Sequence, residues 1–390
     1  MLRDMYKKSL YNYIVSNGKK QYIYNTLYDS FVRLDGSIEQ ILEENNTEII
    51  QALLRQGIIV NANNDELSKL KEICTCKLKH KKCYHFTITP TLSCNARCFY
   101  CYEAGTLAQT VNAKKAKDII NFIKHTAGNS KCISITWFGG EPLLACDVIE
   151  KITHELEQCY TIGASVLTNG SLLSVHNIKL LKRCHVNKIQ LSIDGYSKCY
   201  EQRKAYTDSK ITFNSVIENI QHCISEEIHV ALRLNFDRNN YASIIELIEF
   251  LGNTFYKSDF LSAYPAELFG NQIIEPYEEN DLIVAMSHIL QKLEEKNLLD
   301  IKGTVQKEIR GCACMAHDPY SLVIDPMGYL YHCEHDVGNP KLSIGTIYTG
   351  VQELDSKRNI IPLPDKNEKC NTCVFYPKCL GGCDATRRGN

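Results

Sequence analysis

The sequence predicts an α/β fold built on a parallel sheet, and three observations carry that prediction. From residue 84 onward short apolar strands alternate with helical segments, three cysteines cluster directly after the first of those strands, and seven more lie between Cys312 and Cys383. Strand-helix repetition buries a sheet beneath helices and places chemistry at the C-terminal ends of the strands, as in complete or partial α/β barrels. At 390 residues and 44% hydrophobic content the chain is long enough for two or three domains.

The elements follow in order. The runs LYNYIV, QYIYN and SFVRL, the first two separated by Ser16-Asn17-Gly18, precede a helical pattern of Ile38, Ile41, Leu42, Ile49, Leu53 and Leu54, and Gly57 to Val60 reads as a closing strand. That order predicts a small winged-helix-like module over residues 1–64. Residues 65–83 are lysine-rich and read as a linker helix or loop; its Cys74, Cys76 and Cys83 are ambiguous, since Cys74 and Cys76 could bind a metal but lack a complete ligand set. Over 84–270 the strands HFTITP, CISITWF, ASVLTN, KIQLSID and HVALRLN are separated by helical segments such as 113–127 and 241–252. Residues 271–311 form a bridging region with a helix near 278–297. Over 312–390 helices become scarce while Gly, Pro and Cys are frequent, so that core is expected to rest partly on metal. Cys132, Cys146, Cys159, Cys184, Cys199 and Cys223 read as small buried hydrophobes.

A formal net charge of -1 provides no overall positive field for nucleic acid or an anionic membrane. Residues 1–30 contain no apolar run suited to a signal peptide or a span, which predicts a cytoplasmic protein with no membrane partner. Cytosolic thiols stay reduced, so 19 cysteines point to metal ligation rather than disulfides.

Cys94, Cys98 and Cys101 are spaced so that three thiolates converge from one loop. Three thiolates on a 4Fe-4S cluster leave one iron open to bind a small molecule and pass it an electron. On spacing alone a structural zinc site is the alternative. Downstream, Gly139-Gly140-Glu141, Thr168-Asn169-Gly170 and Ser192-Ile193-Asp194-Gly195 follow the second, third and fourth strands. Each by itself is an ordinary turn. In this order, over roughly residues 84–270, the chain resembles the radical S-adenosylmethionine (SAM) enzymes.

That resemblance implies a partial (β/α)6 barrel, a 4Fe-4S cluster on the three cysteines, and SAM bound to the open iron and cleaved reductively to a 5'-deoxyadenosyl radical. It makes Tyr100, Gly139, Gly140, Glu141, Asn169, Ser192, Asp194, Arg203 and Asn235 candidate cofactor contacts. Gly139 and Gly140 would let backbone approach the methionyl ammonium, with Glu141 adding a compensating charge. Ser192, Asp194 and Asn235 would bind the ribose hydroxyls or the carboxylate, and Arg203 the carboxylate.

Cys370, Cys373, Cys379 and Cys383, preceded by Cys312, Cys314 and Cys333, resemble the SPASM extension of these enzymes, an iron-sulfur domain with auxiliary 4Fe-4S clusters. One or two such clusters are implied. Cys312 or Cys314, or both, with Cys333 and Cys383 would hold the first, and Cys370, Cys373 and Cys379 the second. The further cysteine of full SPASM domains has no counterpart before Asn390, which leaves an open iron, a ligand such as His332 or His335, or a missing tail. A zinc ribbon on Cys370 and Cys373 is the alternative. Glu334 stands where sulfatase-maturing relatives place an aspartate base, and is either catalytic or simply solvated.

The N-terminal module resembles the precursor-recognition domains of enzymes that mature ribosomal peptides, the alternative being a structural cap on the barrel. The expected function is therefore a peptide maturase acting on a ribosomal precursor peptide with its leader and supplied by a low-potential flavodoxin- or ferredoxin-like donor. Its expected product is a thioether crosslink, with carbon-carbon crosslinking or epimerisation as neighbouring outcomes. An anaerobic sulfatase-maturing, formylglycine-generating enzyme is the second reading, and a non-catalytic zinc or iron-sulfur protein the third.

Overall fold

A computed structural model describes residues 5–18, 20–79, 81, 83–268, 274–275, 277–299, 309–352 and 368–383. The parts of the expected bridging and C-terminal domains at 271–273, 276, 300–308, 353–367 and 384–390 lie outside the described residues. The chain forms two compact units, one of Met1–Lys81 with Val305–Pro319 and Ser356–Arg387, the other of Lys82–Thr304 with Tyr320–Asp355 and Arg388–Asn390. The segment 312–390 is thus shared between the units.

In the first unit, β1 (Tyr6–Lys8) pairs antiparallel with β5 (Ile59–Asn61), while β2 (Asn12–Asn17), β3 (Lys20–Asn25) and β4 (Ser30–Asp35) form an antiparallel meander. The single helical pattern expected over 38–54 is two helices, Ile38–Glu44 and Thr47–Arg55, because Asn45 adopts φ 53° and Asn46 starts the next helix by accepting from Ile49 N. Left-handed Asn is a common helix stop, and Asn is a preferred N-cap. Ile38, Ile41, Leu42, Ile50 and Leu53 close over Ile23, Leu34 and Ile58.

The expected linker is a helix, Glu66–Lys79, and it has a buried stripe of Glu66, Leu70 and Cys74, each four residues from the last. Leu70 and Cys74 form a second small core with Tyr11, Leu27, Tyr376 and Leu380, against which Ala313, Cys370 and Cys373 pack. The N-terminal turn is tied to the C-terminal cysteine segment by Thr26 Oγ1 donating to Val374 O and by Lys378 Nζ donating to Asp29 Oδ1 at 3.0 Å.

The second unit is organised by parallel strands β6 (Cys83–Thr91), β7 (Cys132–Gly139), β8 (Thr161–Thr168), β9 (Val186–Ile193), β10 (His229–Phe236) and β11 (Leu261–Glu267), neighbouring in that order. Helices between them, such as Ala113–Ala127 capped by Asn112 and Phe213–Ser225 capped by Thr212, cover the apolar face. This is the expected partial (β/α)6 barrel, with β11 the strand that the sequence reading missed. The expected helix of the bridging region is Glu279–Glu295. On the other edge β12 (Ser321–Ile324) adds to β6 in parallel, with Ser321 opposite His85, and β13 (Tyr329–Tyr331), β14 (Gly345–Thr346) and β15 (Gly350–Val351) continue antiparallel.

Parallel strands covered on both faces are usually apolar throughout. Here Ile133, Ile135, Val166, Leu191 and Leu232 pack in the core, while the alternate residues are polar: His85 contacts Ser134 at 3.0 Å, and Thr136 contacts Ser165 at 3.0 Å. One face of these strands is therefore polar and linked by side-chain hydrogen bonds rather than packed with apolar groups. Of the cysteines read as buried hydrophobes, Cys184 and Cys223 are buried, whereas Cys159, beyond the end of the helix Cys146–Glu157, is exposed. Among the described residues no helix is long and apolar enough to cross a membrane.

Candidate active site

The loop carrying Cys94, Cys98 and Cys101 leaves the C-terminal end of β6 and is held by the ends of the neighbouring strands. Gly140 N donates to Thr91 O at 3.2 Å and Glu141 N to Ser93 O at 2.9 Å. On the far side of the loop Arg97 N donates to Lys204 O at 2.9 Å. Within it, Cys101 N closes a turn on Cys98 O at 3.1 Å, and the Cys94 sulfur accepts from Ala96 N at 3.4 Å. In the metal-free chain burial pushes the Cys94 thiol up and the Cys101 thiol to about 11. Iron coordination would replace those protons.

The geometry gives three of the predicted contact groups a structural role within the chain. Gly139, at φ +118°, and Gly140 are required first by the chain itself: a Cβ on Gly139 would meet Thr91 O at 2.5 Å, and one on Gly140 would meet Ser93 O at 2.3 Å. Their missing side chains seat the cysteine loop. Glu141, expected to face the cofactor with its charge, is fully buried and accepts from Thr168 Oγ1 at 2.8 and 2.9 Å, from Asn169 N at 2.8 Å and from Leu143 N at 3.1 Å. Burial raises its pKa against those donors, and it ties the end of β7 to the end of β8. Arg203, expected to meet a carboxylate of the cofactor, donates from Nη2 to Asp237 at 2.7 Å and lies 4.9 Å from the Phe99 ring centroid.

The structure brings Tyr100, Ser192, Asp194 and Asn235 together around a residue that sequence reasoning missed, Lys204. Its ammonium donates to Ser192 Oγ at 2.8 Å and Tyr100 Oη at 3.0 Å, and stands 3.2 Å from Asp194. Asp194 accepts from Tyr100 Oη at 2.5 Å and from Asn235 Nδ2 at 2.9 Å. Lys204 and Asp194 are both essentially inaccessible. Burial opposes the lysine charge, but Asp194 and the nearby Cys98 more than offset it and hold its pKa above the ordinary value. No motif marked it in the sequence: the last turn of the helix Ser197–Lys204 returns the lysine to the strand end. Asn240, also missed, pins the backbone of this site by donating to Asp194 O at 2.7 Å and Asn235 O at 2.9 Å.

Asn169 braces the cysteine loop: its Nδ2 donates to Asn95 Oδ1 at 2.9 Å and lies 3.9 Å from the Cys94 sulfur. Two buried polar atoms here, Arg203 Nε and Asn235 Oδ1, have no hydrogen-bond partner among the described residues. Buried polar groups are nearly always paired. A polar ligand beside the cysteine loop, presenting both donors and acceptors, fits them.

Glu334 reaches the polar face of the strands, where Thr87 Oγ1 lies 3.5 Å from its Oε1. Burial pushes its carboxyl up, partly opposed by Thr87 and Arg233. Beside it His335 stacks on Tyr102 with ring centroids 4.3 Å apart, and burial with the charge of Glu334 raises Glu103 to about 7. Cys333, His332 and His335 belong to the second unit; Cys312, Cys314, Cys370, Cys373, Cys379 and Cys383 belong to the first. In the first unit Cys373 N donates to Cys370 O at 3.3 Å, Cys379 N to Phe375 O at 2.9 Å, and the Cys314 sulfur lies 3.8 Å from His317 Nδ1. Among the described residues no three His, Cys, Asp or Glu side chains converge to hold a single metal ion. A multi-iron cluster bridges thiolates bound to different irons, so its ligands need not meet at one point.

Residues 88–251 match the radical SAM superfamily. The chain carries a radical SAM domain. It is 23% identical to the radical SAM cyclopropyl synthase TigE of Paramaledivibacter caminithermalis, over 94% of this chain and 80% of that protein. It is also 23% identical to the serine-type anaerobic sulfatase-maturating enzyme of Klebsiella aerogenes, over 77% of this chain and 80% of that one. Among solved structures it is similar to Streptococcus suis SuiB bound to precursor peptide SuiA, with 17% identity and a TM-score of 0.56 over 99% of this chain and 97% of that one. It is similar also to anSMEcpe with bound AdoMet and Cp18Cys peptide, with 16% identity and a TM-score of 0.61 over 79% and 91%. The protein is thus a radical SAM enzyme, a class that works with a 4Fe-4S cluster and SAM, and the non-catalytic reading is set aside.

Proposed function

We propose that this radical SAM enzyme oxidatively modifies a ribosomal precursor peptide, joining a cysteine sulfur to a carbon of the same peptide as a thioether crosslink. One observation carries the choice of a peptide precursor: the likeness to SuiB, solved with its precursor peptide, extends over 99% of this chain and so takes in the N-terminal β-rich segment, whereas the likeness to anSMEcpe covers 79%. In this reading residues 1–64 recognise the leader, 84–270 form the catalytic barrel and 312–390 carry the auxiliary clusters. Leader binding then raises the local concentration of the segment to be modified.

Bound to this site, a 4Fe-4S cluster and SAM supply a 5'-deoxyadenosyl radical when a low-potential flavodoxin- or ferredoxin-like protein delivers an electron. Cys94, Cys98 and Cys101 hold the cluster as thiolates, on a loop fixed by Gly139, Gly140, Glu141 and Asn169. Lys204 and Ser192 bind the carboxylate of SAM, with Arg203, whose Nη2 is held by Asp237, keeping for the same ligand its Nε, unpartnered among the described residues. Asp194 and Asn235 bind the ribose hydroxyls, with Tyr100 orienting Asp194. The crosslink removes a hydrogen atom from carbon, a proton from sulfur and one electron. The hydrogen would leave in 5'-deoxyadenosine, Glu334 would accept the proton, and the C-terminal cysteines would hold an auxiliary cluster able to supply an acceptor for the electron.

The test is the accurate mass of a cysteine-containing peptide encoded beside this gene, co-expressed with the enzyme in anaerobic cells. Loss of a hydrogen pair is expected, and none with Cys94, Cys98 and Cys101 all replaced by alanine. The sulfatase-type reading, favoured by the likeness to the Klebsiella enzyme, is separated by hydroxylamine: formylglycine reacts as an aldehyde and a thioether does not. An unchanged mass with no solvent deuterium incorporated overturns the peptide reading.

A further inference from the structure

On the ligand sets that the SPASM resemblance implies, Cys370, Cys373 and Cys379 hold one auxiliary cluster and Cys383 the other, and a fully ligated 4Fe-4S cluster takes four thiolates. Cys74 lies in the small core against which Cys370 and Cys373 pack, on the stripe of the helix Glu66–Lys79 that faces this core. Only 1% of it is exposed, and its sulfur points toward Arg310 O at 3.4 Å, just before Cys312 and Cys314. Gly311 allows that segment to lie on the helix: a Cβ there would stand 3.0 Å from Leu78 Cγ and 3.5 Å from Cys74 O. The helix therefore turns a thiol toward the place where the cysteine-bearing segments of this unit meet.

An independent observation shows that the same core lacks an acceptor. Tyr11 is 0% exposed there, and its hydroxyl has no hydrogen-bond partner among the described residues. Burial raises its pKa, and Glu66, Tyr376, Asp65 and Cys74 are near enough to add to that rise. A buried phenol normally finds a partner, and leaving it without one costs about 1–3 kcal/mol. Thiolate or sulfide at a cluster edge would accept from it.

We propose that Cys74 supplies the fourth thiolate to the auxiliary 4Fe-4S cluster held by Cys370, Cys373 and Cys379, with the Tyr11 hydroxyl donating to a sulfur of that site. This rests on the reading that the C-terminal cysteines hold iron. Ligation exchanges the Cys74 sulfur-bound proton for iron, the proton passes to solvent, and no electron moves. The helix expected as a linker thereby becomes part of the metal site.

The experiment uses the full chain with Cys94, Cys98 and Cys101 replaced by alanine, reconstituted anaerobically, so that all remaining cluster iron is auxiliary. Cys74→Val keeps an apolar side chain of similar size, and Cys74→Ser keeps a group able to bind iron but packs poorly. A ligand role predicts that the valine variant loses roughly four irons per chain, the content of one cluster, or keeps them with a changed electron paramagnetic resonance spectrum, at an unchanged melting temperature. A packing role predicts wild-type iron and spectrum with valine, and that result overturns the proposal. Should the valine variant fail to fold, the serine variant decides: a shifted spectrum supports ligation and an unshifted one overturns it. Absence of iron from the parent triple variant would instead overturn the auxiliary-cluster reading itself. Tyr11→Phe is expected to shift the potential of the same signal without loss of iron.

Discussion

Gly140 has no room for a methyl group, because the oxygens of Ser93 and Leu92 lie 2.3 and 2.7 Å from where a Cβ would stand, and both are backbone atoms that a rotamer change cannot move. Gly140→Ala is therefore expected to displace the cysteine loop, to cost about 1–3 kcal/mol as overpacking and to lower the iron bound at Cys94, Cys98 and Cys101. Iron analysis checks this, and an alanine variant with full iron content would show that the loop is not seated as described. Lys204 supports a different expectation. Lys204→Met strands the buried Asp194 carboxylate beside Tyr100 and Asn235, and breaking a buried ion pair from one side costs about 3–5 kcal/mol. Its melting temperature should fall and SAM binding weaken, as read by thermal denaturation and equilibrium dialysis; unchanged SAM affinity in a folded variant would remove Lys204 from the cofactor site.

Among the elements, the helix Glu66–Lys79 is the one whose importance is least evident from composition. Leu70→Ala should cost about 2–5 kcal/mol as a buried truncation, and the loss should stay in its own unit. Hydrogen exchange is expected to speed up across 66–79 and 370–380 while β7, β8 and β9 keep their protection; uniform acceleration would contradict the two-unit division. Strands β6 to β10 were legible because runs such as CISITWF are long, apolar and regularly spaced. β11 was not: Pro265 and Glu267 spoil its pattern, and they are tolerated because among the described residues it has a strand neighbour only in β10, apart from one bridge from Ala263 to Leu299. β1 is three residues long and becomes a strand only through its partner β5. At the site, the cysteines, glycines, Ser192, Asp194 and Asn235 were identifiable from order and residue type. The inward turn of Lys204 and the engagement of Arg203 by Asp237 were not, since both depend on where a helix ends in space.

At the scale of the whole molecule, buried thiols give the metal-free protein a pH signature. Cys101, Cys146, Cys184 and Cys312 are raised from 9.0 to about 11, and Cys223 to about 12, each chiefly by burial. Unfolded thiols lose their protons near 9 while the folded ones keep theirs until about 11, so in that window the unfolded state binds fewer protons. Stability should therefore fall as pH rises from about 9 to about 11, and be insensitive to these groups below it. Thermal melts of the apoprotein across that range check the sign. Cys184→Val should flatten the slope, and a slope unchanged by it would sink the assignment of that thiol.

The pairing of Ser321 with His85 places the strand that launches the cysteine loop between β7 and β12 rather than at a margin. A ribosome must complete most of the chain before that pairing can form, so β6 waits during synthesis with one row of backbone donors and acceptors uncovered. Cluster insertion on a nascent chain would meet an incompletely flanked strand. A chain arrested before Ser321 would present that bare edge to other molecules, and edges of this kind invite intermolecular strand pairing. Release of such fragments is expected to yield aggregates in which His85 to Ile88 are protected from exchange, a fate that the finished chain avoids by covering β6 with its own β12.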